Sequence, residues 1–409
     1  MIDSGDTAWL LTSTLLVLMM TLPGLGLFYG GLVRAKNILS TLGQVLGVTA
    51  LVILGWVGWG YSLAFSGTGP IIGDLSLAGL AGIAPGAVTG TVPTLAFVAF
   101  QMTFAAITAA LVVGATVERL RFPAMLMFGL LFLTLVYAPI AHMVWAEGGL
   151  IYELGAIDFA GGTVVHITAG VSGLVAVAFT GRRAGFGRQD LQPHNLPFLF
   201  IGAGLLWVGW FGFNAGSALA ADGTAALAML NTFIAPAAAV LAWMGIERAR
   251  TGKVTLVGGA SGAIAGLVAI TPAAGVSGPV GAMLLGALSA LACYAFVTAA
   301  KTRLGIDDSL DVFGIHGLGG IVGSVVLVIA GLPELGGHGD FELGPQLGVQ
   351  LMSVLIAMLW AAIGSTICFL VVRRALPLRA SGREERDGLD LAEHGQRAYN
   401  GLVDPVNGR

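Results

Sequence analysis

The chain reads as an all-α polytopic membrane protein: eleven transmembrane helices, arranged as an inverted five-helix repeat plus one bracing helix, with the N-terminus outside and the C-terminus inside. Three observations predict this. Eleven long apolar stretches divide the 409 residues. The 19 Lys and Arg residues all fall in alternate gaps between those stretches, and basic residues in short loops stay cytoplasmic. Polar and glycine residues of the fifth stretch recur in the tenth, which crosses in the opposite sense; that is the trace of an inverted repeat.

Taken in order, the first span, 8–32, follows an acidic start, MIDSGDTAW, that lacks the basic region of a cleavable signal peptide. It ends at Arg34 and Lys36. The second, 41–65, runs into 66–92, the largest outer loop, rich in Gly and Pro. The third, 93–117, and fourth, 123–145, flank Arg119 and Arg121. The fifth, 161–180, is followed by Arg182, Arg183 and Arg188. The sixth to eighth run 196–219, 225–246 and 255–274, with Arg248, Arg250 and Lys253 between the last two. The ninth, 280–300, ends at Lys301 and Arg303; the tenth is 312–332. The eleventh, 345–372, exceeds the ~20 residues that cross a bilayer, which implies a tilt or a protruding end. Residues 1–375 thus form one transport-type domain, with repeat one at 8–180 and repeat two at 196–332. Residues 376–409 form a polar cytoplasmic tail.

Composition narrows the function. Mean hydropathy is +0.90 and charged residues make up 10% of the chain, against roughly 25% in a soluble domain. The 63 glycines suit close helix packing in lipid. A net charge of -3 argues against nucleic acid. No gap can house an ATPase domain, and no GxxxxGK[ST] loop is present, so a primary pump is excluded and no enzyme activity is expected. Cys293 and Cys368 lie inside spans and imply no disulfide framework.

The repeat has an offset of 150 residues (166 to 316): Asp158, His166, Gly170 and Gly173 match Asp308, His316, Gly320 and Gly323. Steps of three and four residues keep each histidine and its glycines, with Gly162, on one helical face. If the two faces meet, the imidazoles come together near the bilayer centre, where ionisable groups are functional by default. The plainer alternative is two separate histidines, each bonded to a nearby carbonyl. A buried pair is neutral or shares one proton, because burial and mutual repulsion both disfavour charge. It offers a donor and an acceptor to something small, and no counter-charge to a permanent cation.

Phe100 and Phe104 lie one turn apart on the third span, and Phe211 and Phe213 on the sixth. Trp145 and Ser217 stand at the outer ends of the fourth and sixth. An indole face attracts a small cation and a hydroxyl oxygen accepts its hydrogen bond. Taken singly, the phenylalanines suit core filling, Trp145 an interface belt and Ser217 a helix-end cap. Asp158 reads as a cap on the fifth span, or as a source of outer potential; Asp311 reads as a cap on the tenth. His142 reads as structural. No histidine has metal-ligand spacing, and no cofactor is expected.

Several segments resemble the Amt/Mep/Rh ammonium transporter family, and its bacterial Amt branch in particular. They include PGLGLFYGGLVRAKN (23–37), AFQMTF (99–104), GATVERLRFPA (114–124), IAHMVW (140–145), DFAGGTVVHI (158–167), GWFGFNAGSA (209–218), DVFGIHG (311–317) and RDGLDLAEHGQRAYN (386–400). The resemblance implies a homotrimer in the inner (plasma) membrane with one pore per protomer. It makes Trp145, Phe104, Ser217 and the Ala160 carbonyl an outer ammonium-recruitment site. Phe104 and Phe213 become the gate, His166 and His316 the twin-histidine pore, and Asp158 the organiser of the entrance. It implies that the tail, with Asp387, Gly388, Asp390 and Tyr399, is regulatory and meets a PII signalling protein. The function expected is uptake of ammonium that sheds its proton and crosses as ammonia, with possible proton return. The alternatives are an ammonium sensor with little flux and, from the histidines alone, a pair of axial haem ligands.

Overall fold

The computed structural model describes residues 1–188 and 191–399. Among these, eleven helices are long and apolar enough to cross a membrane. They are Ser4–Leu32, Ala35–Phe65, Thr94–Thr116, Phe122–Glu153, Gly162–Thr180, Leu196–Gly216, Gly223–Thr251, Leu256–Ala273, Pro279–Leu304, Val312–Ala330 and Leu343–Ala375. All eleven expected spans are present. Several begin earlier than their apolar stretch because a polar residue caps the free N–H groups of the first turn. Asp3 accepts from Gly5 and Asp6, and Asp222 from Ala225. The long loop between the second and third spans adds a two-stranded ribbon, Val88–Thr89 against Val92–Pro93.

Packing obeys the repeat. The first span lies along the sixth and the fifth crosses the tenth. The second packs on the third and fourth as the seventh packs on the eighth and ninth. The third meets the fifth as the eighth meets the tenth. The eleventh span runs across the fourth, fifth and tenth from outside the repeat. At 33 residues it extends about 50 Å, so it spans with length to spare.

The fifth and tenth spans both open with wide π-helical turns, Gly162–Ile167 and Val312–Gly317. Such turns leave backbone N–H groups facing one point, and an aspartate fills it in each case. Asp158 accepts from the N–H groups of Gly161, Thr163 and Val164. Asp308 accepts from Val312, Phe313 and Gly314. The expected cap on the fifth span is therefore present. The expectation for Asp311 is corrected: it occupies the position just before the helix, but its side chain makes no cap bond and pairs with Lys301 instead. The wide turn needs an acceptor from further back in the chain, which Asp308 supplies.

The tail folds back beneath the basic end of the bundle. Leu378 and Ala380 exchange backbone hydrogen bonds with Arg121 and Arg119. Two short helices follow, Gly382–Asp387 and Leu389–His394, the first opened by a capping box between Ser381 and Glu384. Residues 400–409 of the expected tail lie outside the described residues.

Candidate functional site

The two histidine faces meet. An added methyl at Gly170 would stand 2.4 Å from the Gly317 Cα, and one at Gly320 would stand 2.8 Å from the Gly162 carbonyl and 3.2 Å from the His166 Cβ. Only glycine permits that approach. It brings Nδ1 of His166 to 3.3 Å from Nδ1 of His316, with ring centroids 5.3 Å apart. Both rings are buried, His166 to 1% and His316 to 6% exposure. The plainer alternative, each histidine bonded to a carbonyl, does not occur. Gly162 and Gly323 serve a different contact, with Pro272 of the eighth span.

Above the pair stands an aromatic column. Phe213 packs face-on against His166, at 5.8 Å, and against Phe104, at 4.1 Å and 18°. Phe104 meets the edge of Trp145 at 5.9 Å and the ring of Phe100 at 4.9 Å. Phe104 and Phe213 are fully buried. Phe211 points elsewhere, to Phe233 on the seventh span. A residue not singled out from sequence joins the column: Trp210 stacks on His166 at 5.3 Å and donates to the Thr271 hydroxyl. One indole in an apolar span carries no signal of its own. Its place one turn before Phe213 was the available clue.

At the end opposite the basic residues, the half-buried Trp145 donates its indole N–H to the Asp158 carbonyl oxygen at 2.9 Å. Ser217, one turn beyond Phe213, donates to the Phe213 carbonyl at 2.8 Å, which leaves its oxygen lone pairs for another partner. Ala160 is fully buried between Asp158 and the start of the fifth span. Burial pushes the Asp158 carboxyl up to about 6 against the backbone N–H groups that favour its charge. An open cavity of about 820 Å³ lies beside Trp145, walled by Tyr61, Phe65, Phe97 and Glu147. On the other side of the histidines a narrow cavity is lined by Phe28, Leu111, Leu206 and Ile264. His166 Nε2 has no partner among the described residues.

His142 is structural, as expected: its two ring nitrogens face the carbonyls of Ala64 and Gly69. No His, Cys, Asp or Glu cluster among the described residues could hold a metal. The His166 and His316 nitrogens face each other across 3.3 Å, which leaves no room for a haem iron between them.

The tail residues lie against the loops at the basic end of the bundle. Asp390 accepts from the Ser40 N–H, and Leu389 donates to Asn37. Gly388, at φ 100°, rides over Lys36 where a side chain would collide. Tyr399 bonds His194 at 2.8 Å, a contact the sequence did not suggest. Asp387 is exposed and, among the described residues, reaches Arg383.

Comparison with known proteins finds one family along nearly the whole chain. The model of the Ammonium Transporter Family matches residues 8–399. An ammonium transporter of Aquifex aeolicus is 45% identical over 98% of this chain and 94% of that one. One of Bacillus subtilis is 44% identical over 97% and 98%. Among solved structures, the Sensor Amt Protein superposes with a TM-score of 0.88 at 28% identity, covering 95% of this chain and 98% of that one. Saccharomyces cerevisiae Mep2 gives 0.85 at 36%, covering 93% and 88%.

Proposed function

The chain belongs to the ammonium transporter family, and from that premise we propose that it takes up ammonium by stripping its proton and conducting ammonia between His166 and His316. Its relatives are transport proteins rather than enzymes. The single observation that carries the mechanism is the histidine pair, 3.3 Å apart and roofed by stacked phenylalanines.

The N-terminus stands outside and the basic end faces the cytoplasm. Ammonium is held by the face of Trp145 and the ring of Phe104, with Ser217 and the Ala160 carbonyl as acceptors. Asp158 adds a carboxylate beside this entrance and fixes the start of the fifth span. Below it the path is apolar. A cation entering there loses its hydration at a cost of several kcal/mol, with no counter-charge to offset it. Potassium has no escape from that cost, whereas ammonium can leave its proton behind.

The pair itself shares one proton. Each Nδ1 faces the other, so one ring donates and the other accepts. The outer nitrogens then differ, one bearing a hydrogen and one bare; a proton taken up at the bare nitrogen, a hop between the two Nδ1 atoms and release of the hydrogen from the other outer nitrogen together exchange them. That exchange offers a return route for the proton. The protein works as a homotrimer in the plasma membrane, and the tail against the inner loops is its regulatory segment, where a PII protein docks. Likeness to a protein named as a sensor supports a second reading, ammonium sensing with little flux.

The test is reconstitution in liposomes on a solid-supported membrane. Ammonium and methylammonium should evoke transport and potassium should not. Equal potassium and ammonium currents would overturn the deprotonation mechanism. Binding without transport would favour the sensor.

A further inference from the structure

The two aspartate caps are alike in geometry but are held from behind by different chemistry. At the outer cap, the amide of Gln350 on the eleventh span brackets Ile157, accepting from its N–H at 2.8 Å and donating to its carbonyl at 2.9 Å. With the Trp145 bond to Asp158, every support there is neutral. At the inner cap, cations hold the 307–310 turn. Arg183 forks onto the Asp307 carboxylate at 2.8 and 3.1 Å, and Lys301 reaches the Asp308 carbonyl at 3.4 Å.

Arg119 is the joint of that assembly. It is 0% exposed. One guanidinium nitrogen donates to the Ser309 hydroxyl at 2.6 Å and to the Val117 carbonyl at 3.3 Å. The other donates to the carbonyls of Asp307, at 2.8 Å, and Ala115, at 3.1 Å. Two of these acceptors end the third span, which carries Phe104; the other two belong to the turn before the tenth. Ser309 and Leu310 add backbone bonds to Ala115 and Gly114. From the turn, Asp308 caps Phe313 and Gly314, and His316 follows two residues later. A rigid chain of contacts therefore leads from Arg119 to the imidazole. The contact at its end tolerates little error, because a hydrogen bond already 3.3 Å long is lost within a few tenths of an ångström.

We propose that Arg119 is a positioning residue for His316: by locking the 307–310 turn to the third span, it sets the height of the tenth span's first turn and so keeps the proton shared between the two histidines. It touches neither permeant nor imidazole. Lysine cannot replace it, since a single ammonium lacks the planar fork that serves four acceptors at once. The assignment rests on the reading that the histidine pair lies in the conducting path.

The experiment uses the full chain in lipid with Arg119→Gln, Arg119→Lys, Ser309→Ala and, as an outer-side comparison, Gln350→Ala. Two readouts are taken: ammonium flux in liposomes, and the nitrogen NMR signals of the histidines, which report a proton bridging two Nδ1 atoms. Arg119→Gln should abolish the bridge signal and lower flux roughly tenfold to a hundredfold, the scale set by a misplaced group. Arg119→Lys should recover only part of both. Ser309→Ala, which keeps the buried charge, should weaken the bridge signal and decides the matter if Arg119→Gln does not fold. A folded Arg119→Gln, or a Ser309→Ala protein, with the bridge signal intact overturns the assignment, whatever its thermal stability. A wild-type protein that does not conduct sinks the transport reading alone, because the NMR arm still reports on Arg119.

Discussion

Nδ1 of His166 lies 3.3 Å from Nδ1 of His316, so the two rings can hold one proton between them and not two. His166 Nε2 meets no partner among the described residues. The pair therefore lines the narrow cavity with one unpaired nitrogen while its members satisfy each other.

Replacing His166 with Glu tests the neutrality of that path. A carboxylate at this depth supplies the counter-charge that a desolvated cation lacks. His166→Glu should carry a potassium current that the unmodified protein does not, measured on a solid-supported membrane. A variant that stays closed to potassium would place the selectivity elsewhere.

The stacked phenylalanines give a second outcome. Phe104 contacts Phe100, Trp145 and Phe213. Phe104→Ala should destabilise the protein by about 3–5 kcal/mol and should admit water to the histidines. Stopped-flow water permeability of proteoliposomes should rise. Unchanged permeability would mean that the seal lies below Phe213.

Asp158 gives a pH dependence with a defined sign. Its carboxyl stands at about 6 against an ordinary 3.8, because burial outweighs the backbone donors. The folded protein thus holds the extra proton between those values, and this group's contribution to stability falls as pH rises through that window. Transport runs the other way. Below about pH 6 the Asp158 charge beside the proposed entrance is lost while ammonium stays fully protonated, so uptake should decline as external pH falls from 7 to 5. Asp158→Asn should flatten that decline. An unaltered profile in the variant would remove Asp158 from the entrance.

Much of this architecture was legible in the sequence, for identifiable reasons. Glycines at helical spacing around His166 and His316 marked a close crossing, and the repeat tied the two ends together. The charge of Arg119 was legible, but only as a marker of sidedness; its four acceptors lie on two distant segments that no periodicity connects. Asp311 misled because a cap is sought next to the helix, whereas a π-helical turn takes its acceptor from Asp308, which the repeat itself had paired with Asp158. Gln350 was silent because the eleventh span has no repeat partner against which it could stand out.

The basic end supplies a further outcome. Glu118 is 3% exposed and sits at φ 70°, unusual for a residue with a side chain. It pairs with Arg34 at 2.7 Å and Arg183 at 3.6 Å. Burial alone would raise its carboxyl, yet the two guanidinium groups hold it below its ordinary 4.5. Its stabilising contribution is complete above that value and is lost as pH falls through the lower folded-state value. Glu118→Gln leaves Arg34 without its carboxylate and Arg183 with Asp307 alone, and should cost about 3–5 kcal/mol. Thermal unfolding in detergent at neutral pH measures this directly, and a shift within experimental error would mean that Arg34 and Arg183 find other acceptors.

The tail is held to the loops of the basic end by a series of polar contacts along its length, and a substitution at the buried Asp390 should loosen its middle. Asp390 accepts from the Ser40 N–H at the start of the second span, and Leu389 donates to Asn37 on the same loop. Glu393 and Glu384 hold Arg121 of the next loop, and Tyr399 reaches His194 on a third. The strap thus joins three loops of the basic end, all in the first half of the chain. Asp390→Ala removes its central anchor and leaves the Ser40 N–H without its partner, at a cost of about 1–3 kcal/mol. Limited proteolysis should then cut between Leu376 and Tyr399 faster than in the unmodified protein, with the spans intact. If the tail also regulates conduction, the same variant should change ammonium flux in either direction. Faster cleavage with unchanged flux would make the strap a structural closure and assign regulation to another segment.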